Sequence, residues 1–101
     1  MKLRQLFTAL CLAATAATAQ AEDPNLARNL AATCANCHGT NGKSVDGSGM
    51  EALAGTTKEK LLQKIRDFKS GDKPATIMHQ IVKGYTDEQM ALITTYFAAQ
   101  K

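Results

Sequence analysis

Tryptophan is absent from this 101-residue chain, proline occurs twice, and only five residues are aromatic. So few large side chains cannot fill a thick interior, and a domain this small ordinarily needs a staple of another kind. No stretch alternates apolar and polar residues with the period of a strand, and no repeat or low-complexity tract stands out, which leaves an all-α class. A strong charge of one sign is missing too. The formal net charge is +3, too small for the basic face that nucleic acid would demand.

Cysteine is scarce as well, at three residues, and one of the three lies in a segment that reads as an address. Lys2 and Arg4 precede an apolar stretch from Leu6 to Ala19, and Ala19-Gln20-Ala21 has the small-x-small pattern of a cleavage site. The run is short for a membrane span, which takes ~20 apolar residues. Residues 1–21 are therefore expected to be an export signal, and residues 22–101 a single mature domain with no membrane span. Cys11 departs with the signal. Ten basic residues then face nine acidic ones, a balance of +1. Only Cys34 and Cys37 stay, and a disulfide between them would close too tiny a loop to restrain the unfolded chain.

The mature chain alternates helices with glycine-rich connections. Asp23 and Pro24 read as an N-cap and a first helical residue, after which Leu26, Ala27, Leu30, Ala31 and Cys34 recur at helical spacing. Five glycines between Gly39 and Gly55, mixed with Asn41, Ser44, Asp46 and Ser48, mark a loop. Loops of that length in small domains are usually functional. Thr56 and Glu59 have capping-box spacing ahead of a helix carrying Leu61, Leu62, Ile65 and Phe68, which ends near Ser70-Gly71. A connector with Pro74 leads to a short helical piece from Ile77 to Lys83, stopped by Gly84. Thr86 and Gln89 repeat the box before a last helix with Met90, Ile93, Tyr96 and Phe97.

The chemistry sits in "ATCANCHGTNG", residues 32–42. Two thiols three residues apart at the end of a helix can add to the two vinyl groups along one porphyrin edge, and the adjacent imidazole can turn under the iron. Cys-x-x-Cys-His is the attachment signature of c-type haem, and export agrees with it, because that haem is attached outside the bacterial cytoplasm. A zinc site would draw on Cys34, Cys37, His38 and His79, leaving Met78 and the glycine loop without a role. A dithiol redox pair would expect a βαβ setting that this helical chain lacks. Haem c, bound through Cys34 and Cys37 with His38 on the iron, is the expected cofactor.

The second axial position has several candidates. Met90 lies on the apolar stripe of the last helix and reads as core filler. Met50 is only twelve residues beyond His38, in the loop better used to back that histidine. Met78 follows the Pro74 connector, free to lie across the far face, and His79 is the runner-up. A thioether favours reduced iron and raises the potential, and with both positions filled the iron changes charge rather than binding a substrate. The second nitrogen of His38 needs an acceptor, expected between Ser48 and Leu53. Leu30, Leu53, Leu61, Ile65, Phe68, Ile81 and Phe97 are expected to cover the ring. Lys43, Lys69, Lys73 and Lys83 can surround its exposed edge, but a scattered solvated surface is the preferred reading, and docking then rests on small apolar residues near Ala35, Ala75 and Ile77.

"CANCHG", a glycine loop, a downstream methionine and a terminal "TYFAAQ" together resemble the class I cytochromes c, over Leu30 to Gln100. "FKSG", "TIM" and "KGYT", each in register, make the chain most similar to the first haem domain of the cytochrome subunit of flavocytochrome c sulfide dehydrogenase. The resemblance implies three to four helices around one covalent haem, thioether bonds at Cys34 and Cys37, and His38 and Met78 as axial ligands. It also implies a periplasmic electron-transfer protein, not itself an enzyme, that accepts electrons from a sulfide-oxidising flavoprotein. A free carrier between a dehydrogenase or quinol-oxidising complex and a terminal acceptor is the alternative. A ligand-binding or peroxidase-like haem protein would need an open iron position. Three departures stand out: the chain ends after one haem domain, "GMEAL" replaces the proline usual in the loop behind the histidine, and Leu26 stands where the first helix often has a glycine.

Overall fold

A computed structural model describes residues 22–101; the export signal read in residues 1–21 lies outside the described residues. The helix most plainly written in the sequence is the last, Asp87–Ala98, here α5. The Thr86 hydroxyl accepts from the Gln89 N–H at 3.1 Å and the Gln89 side chain accepts from the Thr86 N–H at 2.9 Å, a complete capping box. Asp87 and Glu88 add negative charge to its first turn. Its inward stripe buries Met90, Ile93 and Phe97, as the spacing predicts, together with Thr94, which the sequence reading did not place inside. The Thr94 hydroxyl satisfies itself on the Met90 carbonyl at 2.8 Å, so its burial leaves no donor stranded.

The first helical run is less regular. It comprises α1 (Leu26–Ala31), a 3-10 turn (Ala32–Cys34) and α2 (Ala35–His38). Backbone angles at the junction residues Ala31, Ala32, Cys34 and Ala35 are all right-handed helical, so the path stays continuous while its pitch tightens. Regular helix begins at Leu26, two residues after the expected start at Pro24. Asp23 instead closes the entry turn, its carboxylate accepting from the Asn25 N–H at 2.9 Å. The apolar stripe is also narrower than its spacing suggested. Ala31 is buried, Leu30 and Cys34 are half-buried, and Leu26 is 43% exposed. The first and last helices pack against one another, and the small Ala31 lies buried in α1 where Leu26 does not.

Helix α3 spans Lys58–Ser70 and packs against both α5 and α4 (Met78–Ile81). Its N-cap is Thr57, whose hydroxyl accepts from the Lys60 N–H at 3.4 Å. The box expected from Thr56 and Glu59 does not form, because the helix starts one residue later and Lys60, not a carboxamide or carboxylate, occupies its third position. Gly71, left-handed at φ 86°, ends α3 where expected. A 3-10 turn, Val82–Gly84, extends α4. Among the described residues there is no strand. The fold is all-α, four helical stretches arranged around a common interior.

That interior is thin. Ala31, Leu61, Val82, Met90, Ile93 and Phe97 are the buried apolar residues, with a rim of half-buried ones around them. Five of the six also line one cavity.

Candidate functional site

His38 is the last residue of α2, and the position after it admits only glycine. Gly39 takes φ 85° and ψ 160°, and a Cβ there would lie 1.9 Å from the Lys43 carbonyl oxygen. The chain turns back through a 3-10 turn, Thr40–Gly42, with Asn41 left-handed at φ 58°. Asn41 tolerates that conformation, and its side-chain oxygen accepts from the Tyr96 hydroxyl of α5 at 2.5 Å. Gly42 is buried under Phe97, whose ring would be 2.7 Å from a Cβ at that position. The Gly42 carbonyl then receives the N–H groups of both Leu53 and Ala54, at 2.8 and 3.1 Å, and so closes the glycine loop at its base.

The closure brings Glu51 behind His38. His38 Nδ1 lies 2.6 Å from the Glu51 carbonyl oxygen, within the Ser48 to Leu53 window expected for the acceptor. A carbonyl can only accept, so Nδ1 carries the proton and Nε2 keeps its lone pair for a metal. The Glu51 carboxylate, on the same residue, pairs with Lys64 of α3, and that hydrogen bond holds its carboxyl below the usual glutamate range.

Cys34, Cys37 and His38 from the first helical run and Met78 from the start of α4 all line one cavity of about 950 Å³, mouth included. Its remaining walls are apolar over most of their extent. Leu53, Leu61, Ile65, Phe68, Ile81 and Phe97 line it as expected; Leu30 does not. The sequence reading missed Val82, fully buried on the wall. Its signal was present in the spacing of Met78, Ile81 and Val82, an i, i+3, i+4 stripe too short to stand out. It also missed the pairing of Thr33 with Tyr85, whose hydroxyl oxygens are 2.5 Å apart and which both line the cavity.

Three methionines reach this cavity, Met50, Met78 and Met90. Met90 is held in the α5 core at 6% exposure. Met50 immediately precedes Glu51, the residue that backs His38. His79, the runner-up ligand, lines a different pocket with Lys69, Lys73 and Lys83. Those three lysines gather with it beside α4, and the lysine on the wall of the main cavity is Lys64, which the sequence reading does not single out.

The rival chemistries lose support. Burial pushes the Cys34 thiol up, whereas a dithiol redox pair works through a lowered one. Among the described residues no three histidine, cysteine, aspartate or glutamate side chains gather as a metal-binding set, as a closed zinc site requires. Two thiols and an imidazole with a free Nε2, on the wall of a large apolar cavity, fit an apolar macrocycle with a metal at its centre.

Residues 26–101 match the family model described as Cytochrome c. The chain is 40% identical over 68 residues to the cytochrome subunit of sulfide dehydrogenase of Chlorobaculum tepidum, covering 67% of this chain and 60% of that protein. It is 33% identical over 92 residues to cytochrome c4 of Pseudomonas aeruginosa, covering 91% of this chain and 45% of that one. It is 30% identical over 71 residues to the thiosulfate dehydrogenase electron acceptor of Thiomonas intermedia, covering 70% and 33%. The match thus spans between a third and three-fifths of the length of these relatives.

Proposed function

The chain belongs to the cytochrome c family, whose haem c is covalently attached, and from that premise we propose how its residues hold the haem and whom it serves as an electron carrier. Cys34 and Cys37, which fit the attachment motif, form the thioether bonds. His38, through Nε2, and Met78, through its sulfur, would hold the iron. The observation that carries this reading is the convergence of all four side chains on one apolar cavity, with His38 Nδ1 already committed to the Glu51 carbonyl. The iron supplies a one-electron change. The protein's part is to fix the imidazole's tautomer and angle, offer a soft sulfur ligand, and keep water from the ring with Leu61, Phe68, Ile93 and Phe97. Thioether ligation and an apolar shell both favour the reduced state.

The donor we propose is a sulfide-oxidising flavoprotein, and the place is the periplasm, reached through the export signal in residues 1–21. The likeness to a sulfide dehydrogenase cytochrome subunit supports the first. Among the described residues no helix is long and apolar enough to cross a membrane. Likeness to an electron acceptor of thiosulfate dehydrogenase supports the alternative, a free carrier that exchanges with more than one donor. An anaerobic optical redox titration, with and without the flavoprotein, separates the two. A dedicated subunit co-purifies with that protein and shifts its potential on binding; a free carrier does neither. Carbon monoxide tests the ligand set: the reduced wild type resists it, and Met78→Ala binds it rapidly at a lowered potential. Rapid, tight binding by the wild type would overturn the assignment of Met78.

A further inference from the structure

Glu51 acts at two of its atoms. Its main-chain carbonyl accepts from His38 Nδ1, and its carboxylate is tied to Lys64 on α3. The segment that carries it has little else to steady it. Residues 45–50 are all exposed, and Gly47 and Gly49, left-handed at φ 79° and 72°, have no neighbour within 4 Å of where a Cβ would be. The loop is fastened at Gly42 to Leu53 and Ala54, which sets where it ends but leaves the angle of the Glu51 carbonyl free. Lys64 lies within a thirteen-residue helix capped at both ends, a rigid point of attachment.

We propose that the Lys64–Glu51 ion pair is a positioning device that holds the Glu51 carbonyl on His38, doing with a side chain on α3 what a stiff residue in the loop would otherwise do. The inference rests on His38 as the proximal ligand. A hydrogen bond at Nδ1 fixes the ring's orientation and raises the basicity of the ligating nitrogen, so whatever steadies the acceptor steadies the electron density given to the iron. The pair is half in solvent, its side chains 31% and 54% exposed. Such pairs contribute little, so loosening the tie should open the His38 bond only about two- to fivefold more often.

The test measures how fast the His38 ring N–H exchanges with solvent, by NMR on the reduced holoprotein. In the wild type a His38 resonance displaced by the porphyrin ring current reports ligation; without it the ligand assignment fails, whatever the variants do. With it in place, Lys64→Ala and Glu51→Ala should each speed exchange about two- to fivefold, although the two remove opposite charges and so push the potential in opposite directions by field alone. The reversed pair E51K/K64E should restore the wild-type rate. Lys60→Ala removes a cation from the same helix without touching the tie and should leave the rate unchanged. Thermal melts establish that each variant is folded. Unchanged exchange in either truncation, or no recovery in the reversed pair, overturns the proposal while leaving His38 as ligand.

Discussion

The two ends of this domain are built in different ways. Helix α5 specifies itself: a complete capping box, acidic residues in its first turn, and four buried residues on one face. The segment from Leu26 to Ala54 carries three of the four side chains proposed to hold the haem, yet neither α1 nor α2 has a side-chain cap and its longest regular helix is six residues. Helices so short do not hold themselves in water. What holds them comes from the other end of the chain. Tyr96 reaches Asn41, Tyr85 reaches Thr33, Phe97 covers Gly42, and the Phe97 carbonyl accepts from the Gly55 N–H at 3.0 Å. The C-terminal half is scaffold and the Cys/His half is clamped to it.

The largest blow to that arrangement is Phe97→Ala. It removes a buried ring shared by α5, Gly42 and the cavity, and should cost about 3–5 kcal/mol in denaturant unfolding of the holoprotein. If the clamp is real, hydrogen exchange at Leu53 and Ala54 rises more than exchange within α5. Gly39→Ala comes next: a dihedral pair confined to glycine costs on the order of 1–3 kcal/mol, and the clash with the Lys43 carbonyl adds to it. Its clearest readout is a fall in the yield of haem-attached protein, since the turn behind His38 must shift. Tyr96→Phe removes one hydrogen bond across the two halves and should cost about 0.5–1.5 kcal/mol, leaving Asn41 in its left-handed conformation unsupported. Smallest are the caps. Thr86→Ala should cost about 1 kcal/mol, and Thr57→Ala roughly half of that, because its bond is long at 3.4 Å and no reciprocal partner exists. Equal costs at the two threonines would erase the distinction between a self-specified helix and one held by its packing.

Legibility in the sequence follows the same division. The capping box of α5, its buried stripe and the glycine stop of α3 are readable because neighbouring residues decide them. The window for the His38 acceptor is readable as well, since the chain can only double back so far within a glycine loop. The start of α3 is not. Thr56 and Thr57 are adjacent, each followed three residues on by a residue that can be capped, and the choice between them is made by the register that turns Leu61 inward. Leu26 fails for a similar reason: helical spacing shows which residues share a face but not how far the partner helix extends along it. Lys64 escapes notice in the sequence because charge carries no periodicity. Lys64 lines the cavity because it lies one turn beyond Leu61 on α3 and one residue before Ile65, which makes its aliphatic stem part of the apolar face.

The noose closed at the Gly42 carbonyl has one more implication, for engineering. Its fastenings all lie at the neck, while Val45, 70% exposed, and the glycines beyond it stand clear of the rest of the molecule. The free energy of tying a flexible segment's ends together grows only with the logarithm of its length. An epitope, a spectroscopic label or a surface tether spliced between Val45 and Gly49 would therefore ride on the domain as a handle, placed near the redox centre without being part of its construction.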